Sequence, residues 1–156
     1  MSQPDVVITP EQLLEDWQGH RRVTRRMIEA FPEKELFEYS IGGMRPFAVL
    51  ATEMLRMAVP IAEGVATGEW KDVKVEPKTR ADILKLWDES TTELDRVFKS
   101  IPMRRFQEVD TAFGQWKGTG IWMILYAIDN EIHHRGQGYV YLRSLGIDPP
   151  PFYDRS

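Results

Sequence analysis

The chain has 156 residues, of which 42% are apolar, and a formal net charge of −4. That length and apolar content suffice for one domain with one sizeable core and exclude global disorder. The mild acidic balance offers no basic stripe for nucleic acid, the lack of cysteine excludes disulfides, thiolate zinc sites and cysteine nucleophiles, and no run approaches the roughly 18 apolar residues of a membrane span.

The first element is expected to begin at Thr9-Pro10, a capping residue followed by a proline suited to the first helical position. Leu13, Trp17, Thr24, Met27 and Phe31 recur near helical spacing, and Pro32 stops the run. His20 falls close to the same face. The basic cluster "HRRVTRR" (20–26) reads as a solvated helix face. The N-terminal "MSQPDVVITP" lacks the basic start and apolar core of a signal peptide, so a cytoplasmic location is expected.

A second helix is predicted from near Pro46, after the flexible "IGG", with Phe47, Leu50, Met54, Met57 and Ile61 as its buried stripe. Pro60 is a candidate kink, and "TGEW" ends the element. The third helix is the clearest. Thr79 and Asp82 resemble a capping box, and Ile83, Leu86, Trp87, Leu94, Val97, Phe98 and Ile101 form one apolar face before Pro102. Residues 103 to 118 read as a loop with one short turn. The fourth helix runs from about Thr119 to Leu145. Its "IWMILYAI" half is apolar all round and expected to be buried on most sides, and Gly146 serves as C-cap before "DPPPF". With little sign of strands, the economical architecture is a single all-α domain over 1–156, a four-helix bundle.

The stretch "NEIHHRGQGYVYLRSLG" (130–146) carries the chemistry. Residues four apart on a helix face the same way, so Asn130 pairs with His134 and Asp129 with His133. One of these pairs can point into the bundle. Glu131 and His134 have the spacing used by di-iron carboxylate bundles, but no other histidine has a glutamate three residues before it. Imidazole and carboxylate suit zinc, nickel or iron, and a neutral histidine is also a general base. Two half-buried polar histidines held by hydrogen bonds would leave the same pattern.

The string "EIHHRGQGYVYLRSLGIDPP" resembles the last core helix of the DinB/YfiT-like superfamily, whose pattern is close to His-Glu-x-His-His-Arg-Gly-Gln. "IEAFPEKEL", "GGMRPFAVLATEMLRM" and "GTGIWMILYAIDNEIHHRGQ" follow in the expected order, so the likeness covers roughly residues 10 to 150. The resemblance implies a four-helix bundle, commonly a homodimer, with a divalent metal in a cleft. In that family one histidine of the second helix and two of the fourth, four apart, hold the metal. By motif these positions are Glu53, Asn130 and His134, so one histidine of three is kept.

A Glu-Asn-His set is expected to hold zinc or nickel less tightly than three histidines, because an amide oxygen suits harder cations. Relatives include metal-dependent transferases and isomerases that use small thiols such as bacillithiol or mycothiol, and hydrolase-like members. The resemblance therefore implies a transferase or hydrolase acting through a thiol cofactor or activated water. The alternative is a non-catalytic, small-molecule-binding or stress-related dimer that has lost the metal, in which Glu53 pairs with His134 or hydrogen-bonds Asn130. A third reading is an interaction role through dimerisation alone. Asp129 or His20 are possible auxiliaries, and Gln137 is placed to orient His134. Arg135 is expected to pair with Glu131 or Asp129, and Gly136 to permit close approach of a helix or partner subunit. Tyr126, Tyr139, Tyr141 and Trp122 are expected in the core or an interface. No catalytic side chain is assigned.

Overall fold

A computed structural model describes residues 5–156; the first four, part of the N-terminal stretch considered above, lie outside the described residues. Helix α1 spans Pro10–Ala30. Its first turn is fixed by a reciprocal cap: the Gln12 backbone N–H donates to the Thr9 hydroxyl (3.1 Å), and the Thr9 N–H donates to the Gln12 side chain (2.9 Å). A six-residue helix α2, Glu33–Glu38, follows Pro32. Helix α3, Phe47–Thr67, runs on through Pro60 and closes where Gly68 takes φ 79 and its N–H reaches the Gly64 carbonyl at 2.8 Å. Helix α4, Arg80–Lys99, starts from the Thr79–Asp82 capping box.

Residues 103 to 118 depart from the expected loop. They form a 3-10 turn (Met103–Phe106) and most of an antiparallel hairpin, β1 Val109–Ala112 and β2 Trp116–Thr119, with Val109 opposite Thr119 and Ala112 opposite Trp116. Each strand has four residues and mixed polarity, too short for a period of two to stand out. Thr119 then caps helix α5, Gly120–Ser144, by accepting the Trp122 N–H at 3.2 Å. Among the described residues no helix is long and apolar enough to cross a membrane.

The long helices α1, α3, α4 and α5 form the all-α bundle, with the small sheet at one end. Their apolar faces collect into two clusters. One joins Leu13 and Trp17 to Ile61, Val65, Phe98, Phe106 and Ile124 beside the hairpin. The other joins Met27, Phe31, Phe47, Leu50, Trp87 and Tyr141 at the opposite end. Between them lies a buried polar waist of Gln18, His20, Arg21, Thr24, Glu131, His134 and Arg135.

The waist corrects one expectation. "HRRVTRR" is not a solvated face. Arg21 is buried, its Nη2 donates to the Trp87 carbonyl, Ser90 and Thr91, and its guanidinium lies 4.3 Å from the Trp87 ring centroid. Arg22 and Arg26 hold backbone carbonyls of Arg155 and Asp154 in the C-terminal tail. Within the chain, close approach belongs to Gly138 and not Gly136: a Cβ at Gly138 would meet Phe47 at 2.6 Å and Met27 at 2.7 Å, whereas one at Gly136 meets nothing within 4 Å. The first half of α5 is also less covered than its composition suggests, since Trp122, Leu125 and Tyr126 are exposed while Met123, Ile124, Ala127 and Ile128 are buried.

Candidate functional site

Phase along two helices builds the site. Glu53 lies one residue before the buried Met54 on α3, at the edge of that helix's apolar face. On α5, Asn130 and His134 stand one turn apart on the side facing α3, while Asp129 and His133 are exposed. Of the two candidate pairs, Asn130 with His134 is therefore the one turned toward the bundle. The three side chains converge: Asn130 Nδ2 donates to Glu53 Oε1 at 3.0 Å, and His134 Nε2 lies 3.1 Å from the same oxygen. Glu53 Oε2 accepts from Arg45 Nη1.

His134 is fixed from its other side as well. Its Nδ1 lies 2.7 Å from Gln137 Oε1, and Gln137 Nε2 in turn reaches Met44 Sδ at 3.3 Å. Both ring nitrogens thus face acceptor oxygens. Burial pushes the Glu53 carboxyl up, but hydrogen bonds from Asn130 and Arg45 and the charges of Arg45 and His134 outweigh it and hold the group below the usual carboxylate range. Arg45 was not singled out in the sequence. It precedes Pro46 in a loop, where no periodicity marks it.

As a metal site this set fits poorly. Glu53 Oε1, the oxygen nearest His134, is already occupied by an amide N–H. The anionic charge that would attract a cation is paired with Arg45. Asn130 turns its N–H, not its oxygen, toward the centre.

The other sequence candidates lie elsewhere. His20 is only 6% exposed and packs on the far side of α5, where its Nδ1 faces Arg135 Nη2 at 3.0 Å. Arg135 Nη1 also donates to the His20 carbonyl at 2.9 Å, so its direct partners come from α1 and not from Glu131 or Asp129. Glu131 accepts from Thr24 Oγ1 at 2.7 Å, and burial raises its carboxyl above the usual range against the opposing charge of Arg21. Tyr141 is core and donates to the Arg45 carbonyl at 2.8 Å, which steadies the loop that carries Arg45. Tyr139 is half-buried and donates to the Pro150 carbonyl.

Glu53 also stands on the wall of a cleft. Two adjoining hollows of about 430 and 320 Å³ share Glu53, Arg56, Met57, Phe113 and Trp116. The hairpin supplies the two aromatic rings, and with the hairpin unforeseen they were not placed beside Glu53 from sequence. The geometry thus combines a polar cluster of fixed orientation with an open, largely apolar cleft, a combination suited to holding a small organic molecule.

Comparison with known proteins agrees with the fold. A model of the DinB family matches residues 1–156. The chain is 27% identical over 150 residues to the uncharacterized protein YjoA of Bacillus subtilis, covering 92% of this chain and 96% of that protein. The crystal structure of the DinB-like YjoA of Bacillus subtilis superposes with a TM-score of 0.76 at 22% identity, over 92% of this chain and 97% of that one. A DinB-like protein from Bacillus cereus gives 0.73 at 21% identity, over 92% and 97%. A mycothiol-dependent maleylpyruvate isomerase variant gives 0.66 at 15% identity, over 88% of this chain and 68% of that one. At such identities the structural likenesses establish the fold alone.

Proposed function

The chain belongs to the DinB family, and from that premise we propose that it is a metal-independent member that binds a small organic molecule in the cleft between α3, α5 and the hairpin. The observation that carries this reading is the closed hydrogen-bond set on Glu53, in which Asn130, His134 and Arg45 together take up both carboxylate oxygens. In this reading the cluster is a rigid polar end to the cleft. Gln137 positions the imidazole, Arg45 keeps the carboxylate ionised, and the apolar wall excludes water from a bound molecule. An ionised acid beside an imidazole can also move a proton to or from a ligand held against it.

A second reading, a transferase or hydrolase using a divalent metal with a thiol cofactor or activated water, is favoured by one feature: the Asn130 amide oxygen is buried beside the cluster without a partner. The mycothiol dependence named for one structural neighbour points the same way. Metal analysis of untagged protein decides between the two. The metal-independent reading expects no stoichiometric metal and a thermal midpoint unmoved by added zinc or nickel. One metal per chain, lost in His134→Ala, overturns it. We also propose that the protein is a homodimer, with the exposed α5 residues Leu125, Ile132 and Val140 facing a second copy.

A further inference from the structure

We infer that the cleft beside Glu53 selects a planar aromatic or conjugated carboxylate, its flat body against Phe113 and Trp116 and its acid group on Arg45 and Arg56. This deepens the small-molecule reading above and rests on it for the existence of a ligand.

The first observation is the hairpin tip. Phe113 has φ 51 and is followed by Gly114 at φ 69, with the Gln115 N–H bonded to the Ala112 carbonyl at 3.0 Å. Two successive left-handed residues in a hairpin turn ordinarily select Asn-Gly or Gly-Gly, because a side chain at the first position crowds the backbone. Among the described residues Phe113 is the one non-glycine residue held at positive φ. Residues held in sparsely populated backbone conformations cluster at ligand-contacting sites, and Phe113, partly packed on the core beside the hairpin, stands on the wall of the cleft. The backbone there aims the Phe113 ring between Trp70 (centroids 5.5 Å apart) and Trp116 (6.4 Å), both roughly edge-on. The ring thus lines both hollows as part of an aromatic wall.

The second observation is the hydrogen-bond capacity left on the polar side. Both Glu53 oxygens are engaged. Arg45 commits Nη1 to Glu53, while Arg56 commits Nε to the Val73 carbonyl (3.2 Å) and Nη2 to Asp72 (2.7 Å). Among the described residues, Nε and Nη2 of Arg45 and Nη1 of Arg56 have no protein acceptor. The two side chains are 50% and 47% exposed at the cleft. The spare capacity of the two guanidinium groups is therefore all donor, and Asp72, which pairs with Arg56, and Gln115 line the same hollow. Free N–H donors on two planar guanidinium groups match the fork of a carboxylate.

Calorimetric titration with 2-naphthoate and 2-naphthamide tests this, since the two share one ring system and differ in charge. We expect 2-naphthoate to bind one per chain at low salt, about tenfold or more tighter than the amide. Arg56→Gln should erase the preference. Phe113→Asn, which suits the turn, should weaken 2-naphthoate about tenfold with the helical circular dichroism retained. Trp116→Ala, at an exposed position, should do the same and serves if Phe113→Asn fails to fold. Equal affinity for the amide, a preference that survives Arg56→Gln, or wild-type affinity in both aromatic variants overturns the inference. So does the absence of 2-naphthoate binding at low salt. None of these arms alters Glu53 or His134, so a failure here leaves the metal-independent reading to metal analysis. A stoichiometric metal overturns that reading without changing the naphthoate comparison.

Discussion

Replacing His20 by Asn tests whether the waist is tuned for a neutral imidazole. Burial, followed by the charges of Arg135 and Arg155, lowers the His20 pKa from 6.5 to about 4, while Asp16, 3.7 Å away, opposes the shift. The unfolded chain then binds a proton that the folded chain refuses between those two values. Stability should therefore rise with pH across this window and be lost as pH falls from 6.5 toward 4. Curves with those midpoints separate by about 2 kcal/mol between about pH 7 and about pH 5, out of roughly 3 kcal/mol for the full shift. In the His20→Asn variant, an amide oxygen can take the place of Nδ1 in accepting from Arg135, so the hydrogen bond persists while the titration disappears. Urea unfolding at the two pH values, on wild type and His20→Asn, gives the difference directly. Glu53 and Glu131 titrate in both proteins and cancel from the comparison. Parallel loss of stability in the two proteins would refute the reasoning.

Three further outcomes are expected. Gly138→Ala should destabilise the protein by about 1–3 kcal/mol in chemical denaturation, because its methyl group would meet the Phe47 ring and Met27 inside contact distance. Thr79→Ala should lower stability by about 1 kcal/mol by removing the α4 capping box, with the same denaturation assay reporting it. Leu125→Glu should convert a dimer to a monomer in sedimentation, since it places a charge on the exposed α5 face without entering the core; a wild type that is monomeric at every concentration removes the dimer proposal.

The long helices were legible because their signals are local. Thr9-Pro10 and Thr79 with Asp82 mark two starts, Gly146 marks a stop, and apolar spacing marks the faces between. Motif likeness then aligned Glu53, Asn130 and His134, and the structure brings all three within hydrogen-bond distance. What escaped depends on contacts distant in sequence. The hairpin turn uses Phe-Gly where Asn-Gly would have announced it, and four-residue strands carry too little alternation to register. Arg45 reaches Glu53 from a loop, and the fate of Arg21 depends on Trp87 of α4, 66 residues along the chain. Even α2 had a local sign, an acidic first turn directly after Pro32, but six residues gave it no amphipathic period.

The polar waist bears on how the helices find their axial positions. Leucines and valines tolerate sliding past one another, because one greasy neighbour serves nearly as well as the next. Glu131, Arg135 and Arg21 have no such freedom: moved by one turn, about 5.4 Å, they would leave Thr24, His20 and Ser90 and meet hydrocarbon, where an unpaired charge costs several kcal/mol. The belt thus acts as an indexing pin between two interchangeable oily halves, locking α1 to α4 and to α5.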